Sequence, residues 1–207
     1  MDQTPNTIHV FNKLANVYQD KFMDVSLYHD SLDIFCANLP QNATVLELAC
    51  GPGNITKYLL QKRPDLKITG TDLAPNMIEL AKVNNPNAEF QLLDVKAINT
   101  INTKFDAVLC GFGLPYLSKD EAIQFIADSS KQLNSNGILY ISTMEDDYSK
   151  SGLKTGSTGD AMYQNFHEAT YLTKALEEND FKIIDLSRKH YLHNEQDTTD
   201  LIILATK

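Results

Sequence analysis

The chain alternates short apolar runs with segments of helical spacing, starting near residue 43. Residues 43–49 (ATVLELA) are apolar and rich in branched side chains, which predicts a buried strand. Residues 54–63 carry Ile55, Tyr58 and Leu59 at helical spacing. Lys62, Arg63 and Pro64 end that segment, because cations suit a helix carboxyl terminus and proline stops it. A second strand is predicted over 66–71, a helix with proline in its first turn over 75–83, and a third strand over 90–93. Residues 105–110 (FDAVLC) give the fourth strand. Ser118, with Glu121 three residues on, forms a capping box that opens a helix carrying Ile123, Phe125 and Ile126. A turn over 134–137 leads to a fifth strand over 138–143. Residues 145–165 are polar, Gly/Ser-rich and without period, which predicts a long loop. Residues 168–178 place Tyr171, Leu172, Ala175 and Leu176 on one helical face, and 181–186 and 199–206 close the chain as a strand pair. Residues 1–40 add one or two helices before the sheet, with Phe11, Leu14, Ala15 and Tyr18 on one face.

Strands separated by helices predict right-handed βαβ units and a mostly parallel sheet covered on both faces, with the last pair antiparallel at one edge. No shift in composition marks a boundary along the 207 residues, so one domain is expected, with 1–40 as a helical cap and 145–165 as a lid hinged at Gly152, Gly156 and Gly159. The net charge of −9 argues against a nucleic-acid partner, which needs Lys and Arg to neutralise phosphates. No segment reaches the 18 apolar residues of a membrane span, and the amino terminus has no apolar run behind a basic stretch. With three widely spaced cysteines and no CxxC, this predicts a cytoplasmic protein with buried thiols. The histidines and cysteines lack metal-ligand spacing, so no catalytic metal is expected.

Four elements carry candidate chemistry. Between the first strand and helix lies Glu47-Leu48-Ala49-Cys50-Gly51-Pro52-Gly53-Asn54. Its glycines permit a tight turn and close approach to a ligand, and the helix behind presents free N–H groups. A dinucleotide site would need a third glycine where Thr56 stands, and Pro52 removes one donor, so phosphate binding is disfavoured. Asp72 ends the second strand, where a carboxylate can take both hydroxyls of a ribose or cap the next helix. Asp94 and Val95 follow the third strand, and Cys110-Gly111-Phe112-Gly113-Leu114-Pro115-Tyr116 opens from the fourth.

In order and spacing these elements resemble the class I S-adenosylmethionine-dependent methyltransferases of small-molecule type, over roughly residues 40 to 207. That family's fold is a Rossmann-like three-layer sandwich with a mostly parallel seven-stranded sheet and an antiparallel C-terminal strand. The resemblance implies S-adenosyl-L-methionine as cofactor. Glu47, Ala49, Gly51 and Gly53 match the loop around its methionine part, Asp72 the ribose-binding acid, and Leu73 and Met77 the neighbours of the adenine. Asp94 and Val95 match the adenine-edge pair, and Cys110, Gly111 and Phe112 the loop beneath the sulfonium. Tyr18 matches a tyrosine that reaches the cofactor's carboxylate. The segment after the fourth strand lacks the Asn/Asp-Pro-Pro-aromatic box of amino-methylating members, and no paired-glutamate loop is present.

The implied reaction is in-line transfer of a methyl group to a small-molecule acceptor, by a monomer or homodimer. Proximity and orientation carry much of the rate, and a base is needed only when the acceptor holds a proton. Phe112 and Tyr116 are candidates to flank the cationic centre, and Tyr116 a candidate for the reaction itself. His167, at the end of the polar segment, is the candidate base, expected near the acceptor entrance. Acidic Glu145-Asp146-Asp147 is either a solvated face or an attraction for a cationic acceptor. Three other readings stay open: a binding protein without catalysis, a nicotinamide-dependent oxidoreductase, and a nucleic-acid methyltransferase.

Overall fold

The computed structural model describes residues 3–156, 158–193 and 196–207. Seven strands form one sheet: β1 (Thr44–Leu48), β2 (Lys67–Asp72), β3 (Glu89–Leu92), β4 (Phe105–Gly111), β5 (Leu133–Met144), β8 (Lys182–His193) and β9 (Gln196–Thr206). Their order is β3-β2-β1-β4-β5-β9-β8, parallel from β3 to β5, with β9 antiparallel to both of its neighbours. The order reverses between β1 and β4, and at such a switch point the carboxyl ends of the strands open a crevice.

The central strands are buried on both sides, which is why they read as apolar runs. Leu46, Leu48, Val108 and Cys110 face one layer with Phe125 and Ile126 of α6 (Lys119–Gln132) and Leu172 and Leu176 of α7 (Ala169–Glu178). Val45, Ala107 and Leu109 face the other, with Leu32 and Phe35 of α3 (His29–Ala37) and Ile55 and Leu59 of α4 (Asn54–Lys62). Beside α4, α5 (Pro75–Asn84) packs on β2 and β3, and over it lie α1 (Thr4–Lys13) and α2 (Ala15–Phe22). Among the described residues no helix is long and apolar enough to cross a membrane.

The expected capping box is formed: Ser118 accepts from the Glu121 amide, and Glu121 accepts from the Ser118 amide. Ser118→Ala removes one half of it, and the expected cost is about 1 kcal/mol, read as a lower urea midpoint.

Four elements differ from the sequence reading. Residues 134–137, expected as a turn, lie inside β5 as an irregularity: Phe105 pairs with Leu133 but Ala107 already pairs with Ile138. The 145–165 segment contains a hairpin of β6 (Gly152–Thr155) and β7 (Ala161–Gln164), not a loop throughout. Asn165 ties its end to Pro115, its amide donating to the carbonyl at 2.7 Å, and Lys13 of α1 ion-pairs Asp160 at 2.8 Å. The closing strands extend past the expected runs, because the added residues 187–192 and 197–198 are half-buried or exposed and show no apolar stretch. The amino-terminal segment forms three helices, where one or two were expected.

Candidate active site

The crevice at the switch point is built from backbone held in an uncommon conformation. Ala49 (φ 53°) follows β1, Gly51 (φ 53°) and Gly53 (φ 77°) come next, and Phe112 (φ 57°) follows β4. A side chain at positive φ is costly, so the surrounding hydrogen bonds must hold it. They do: the Phe112 amide donates to the Ser142 carbonyl at 3.1 Å, and the Gly51 amide to Asp72 Oδ2 at 3.0 Å. A Cβ at Gly53 would lie 2.3 Å from Asn85 Nδ2 and at positive φ, so a side chain there would displace Asn85 and strain the backbone. Asn85 in turn donates to the Gly53 carbonyl at 2.9 Å, and Asn84 to that of Pro52 at 2.8 Å. These two asparagines at the end of α5 fix the loop from behind, a role no local sequence pattern announces.

Two carboxylates lie beneath the loop. Glu47 is 1% exposed and accepts from the Thr56 hydroxyl. Thr56, the residue that departs from the dinucleotide pattern, is thus Glu47's anchor. Burial raises the Glu47 pKa to about 7, and nearby Asp72 adds to the rise. Asp72 accepts from Gly51 and, at 2.8 Å, from the Ala74 amide, so it braces both the loop and the entry to α5; burial raises its pKa too.

The opposite wall is aromatic. The crevice is lined by Tyr18, Tyr28, Glu47, Gly51, Asn54 and Phe112, with Ala49 and Gly111 among the rest. Tyr18 lies over Gly51 and packs on Phe22 with ring centroids 4.6 Å apart. The room between the walls is about 40 Å³. Pockets for small molecules hold roughly 300–1,000 Å³. A nucleoside-sized ligand therefore needs more room than the crevice offers in this conformation.

Not every residue singled out by sequence lines that crevice. Met77 is 1% exposed and packs with Ala15 and Ala74 against Phe11 and Tyr18, supporting the wall. Cys110 is fully buried, its thiol pushed up to about 12 by burial, and sits under Gly113 as floor. Leu73, Asp94 and Val95 are half-buried beyond the loop, and Asp94 accepts from the Lys96 amide at 2.9 Å. Tyr116 is half-buried, edge-on to Phe11 at 5.1 Å. The acidic run is already neutralised in part: Arg188 pairs with Glu145 and Lys150 with Asp146, at 2.8 Å for the latter.

His167 corrects the expectation of an open position at the entrance. It is 0% exposed, and both ring nitrogens are engaged. Nε2 lies 2.7 Å from the Leu114 carbonyl, which can only accept, so Nε2 carries the proton. Nδ1 then accepts from the Tyr171 hydroxyl and has no lone pair left for an acceptor. Burial lowers its pKa to about 4. His167 thus holds the turn that carries Tyr116. His167→Ala leaves Leu114 and Tyr171 unpaired beside a cavity, and the expected cost is about 2–4 kcal/mol in urea unfolding with cofactor affinity unchanged.

The fold is a Rossmann-like sandwich whose glycine loop and buried Glu47 line one crevice, with Asp72 bonded to the loop from the end of β2. Residues 45–137 match the family described as methyltransferase domain. That match spans just under half of the chain. It is 32% identical over 114 residues to malonyl-[acyl-carrier protein] O-methyltransferase of Acetivibrio thermocellus, a match covering 54% of this chain and 39% of that protein. It is 29% identical over 152 residues to carboxy-S-adenosyl-L-methionine synthase of Campylobacter jejuni, covering 68% of this chain and 63% of that one. The matches thus span less than two thirds of either relative. Among solved structures, Burkholderia thailandensis 1,6-didemethyltoxoflavin-N1-methyltransferase, with bound 1,6-didemethyltoxoflavin and S-adenosylhomocysteine, superposes with a TM-score of 0.73 at 22% identity, over 99% of this chain and 88% of that one.

Proposed function

We propose that this chain binds S-adenosyl-L-methionine in the crevice and transfers its methyl group to a small-molecule acceptor, residues 1–207 acting as one domain. The observation that carries the reading is the convergence of Glu47 and Asp72 under a glycine loop faced by aromatic rings. A carboxylate beneath the loop suits an ammonium group, one at the end of β2 suits a diol, and aromatic faces suit a sulfonium. Tyr18 closes over the methionine part, Leu73 and Met77 support the adenine side, and Asp94 with Val95 receives its edge. Gly111 and Phe112 sit beneath the reacting centre, with Cys110 below them and Tyr116 beside them.

When bound, the cofactor supplies an activated methyl that an acceptor takes in line. The chain's own part is positioning, worth up to about 7–11 kcal/mol in favourable cases. The negative charge of the chain and its three buried free thiols fit a small metabolite as acceptor and a reducing cytoplasm as setting.

A second reading, conversion of the cofactor itself, is favoured by the likeness to the carboxy-S-adenosyl-L-methionine synthase. Mass analysis of nucleoside products after incubation with S-adenosylmethionine and a metabolite extract decides between them. Release of S-adenosylhomocysteine supports methyl transfer, and a carboxylated sulfonium supports the second reading.

A further inference from the structure

Between Tyr28 and Asp200, 172 residues apart in the chain, lies a contact that neither the loop nor the cofactor crevice requires. The Tyr28 hydroxyl donates to Asp200 Oδ2 at 2.7 Å. Asp200 is 0% exposed at the carboxyl edge of the sheet, where β9 pairs it with Met144 at the end of β5. Tyr28 is half-buried, lines the crevice, and sets its ring 5.3 Å from Phe112, which follows β4. A buried carboxylate is therefore connected to the crevice through one phenol. With His167 closed off, no other described carboxylate on the β5 side reaches the crevice through a residue that lines it.

We infer that Tyr28 and Asp200 form the proton relay of the transfer, and that the acceptor is a phenolic hydroxyl. The assignment rests on the methyl-transfer reading above. A proton sink serves a neutral O–H acceptor and is superfluous for one already ionised. The rings of Tyr28 and Phe112 favour a flat aromatic acceptor. As the acceptor oxygen bonds the methyl carbon and the carbon–sulfur bond breaks, the acceptor's proton passes to Tyr28 Oη. Tyr28's own proton moves to Asp200 Oδ2, and a neutral ether and sulfide result. Burial and the Asp200 carboxylate push the Tyr28 phenol well above its ordinary value, so Tyr28 passes a proton on and does not hold a charge itself. Asp200 acts through Tyr28 and is a positioning residue. The groups around it are Tyr191 of β8, which also hydrogen-bonds it, Tyr140 of β5, and Lys189, whose ammonium pairs with Asp30 of α3.

The test uses the whole chain with S-adenosylmethionine and three probes: phenol, 2-naphthol and 4-nitrophenol, at mildly alkaline pH where only the last is ionised. Tyr28→Phe and Asp200→Asn keep the shape of each side chain, and the unfolding midpoint reports that the fold is intact. The expected result is a loss of roughly 10²–10⁴-fold in kcat/KM for phenol and 2-naphthol, with 4-nitrophenol nearly unaffected. An equal loss on all three probes, or no loss, overturns the relay. Cofactor binding without methylation of any probe overturns the phenolic acceptor. Failure to bind S-adenosylmethionine overturns the methyl-transfer reading itself, and this assignment with it.

Discussion

Replacing Asp72 by alanine is expected to weaken S-adenosylmethionine binding at least ten-fold while leaving the sheet intact. Asp72 contributes twice. Its Oδ2 holds the Gly51 amide and its Oδ1 the Ala74 amide, so the carboxylate fixes the loop to the start of α5. Carboxylate oxygens have lone pairs beyond those two bonds, and in the proposed complex these receive the ribose hydroxyls. A bond to a charged group is worth about 1.5–3 kcal/mol, and each 1.4 kcal/mol is a factor of ten in affinity. Alanine loses the hydroxyl contacts and frees Gly51 at positive φ, so both effects act in one direction. Asp72→Asn keeps the shape but adds donors where amides already point, and is expected to be nearly as weak. Calorimetric titration reads both variants, and wild-type affinity in Asp72→Ala would remove the ribose role.

Glu47→Gln is expected to stabilise the unliganded protein and weaken the cofactor complex. The sign follows from linkage. The folded pKa of about 7 lies above the ordinary 4.5, so the folded chain holds the proton longer than the unfolded one. This contribution is fully present below pH 4.5 and is lost as pH rises to about 7. Above pH 7 the charged, desolvated Glu47 therefore costs stability on the order of 3 kcal/mol, at 1.36 kcal/mol per pKa unit, and glutamine avoids that cost. Buried His167 has the opposite slope: its pKa of about 4 lies below 6.5, so its stability is present above 6.5 and lost as pH falls to 4. The two slopes oppose each other in the wild type. The difference between Glu47→Gln and wild type isolates Glu47, and in urea unfolding it should grow in the variant's favour from about pH 4 to about pH 8, values that bracket this window. A cationic ligand ionises Glu47, so binding to the wild type near pH 6 should also release a proton, and binding to the variant should not.

Much of this was legible in the sequence. The seven strands were marked by apolar runs because both faces of the central strands are buried, and the Ser118–Glu121 box was marked because capping is local chemistry. The glycine loop and Asp72 were legible because their spacing follows the βαβ unit. What was not legible depends on contacts far apart in the chain. The hairpin of β6 and β7 has no buried face of its own to impose alternation. Its residues are half-buried or exposed, and it is held by α1 and the Pro115 turn. His167 looked like an entrance residue because its neighbours are polar, yet Leu114 and Tyr171 enclose it. Tyr28 stands inside Leu27-Tyr28-His29-Asp30 with no pattern to mark it, and Asp200 carries one cue only: an acid set immediately before the apolar run Leu201-Ile202-Ile203-Leu204. Their pairing is a product of topology, since only the insertion of β9 beside β5 brings Asp200 to the crevice.

The measurement that tests the central claim most directly is calorimetric titration of the purified chain with S-adenosylmethionine, alongside the same titration of Asp72→Ala. The account predicts one site of micromolar affinity in the wild type, with at least ten-fold loss in the variant. Absence of binding in the wild type, or equal affinity in the two, would contradict the placement of the cofactor in this crevice.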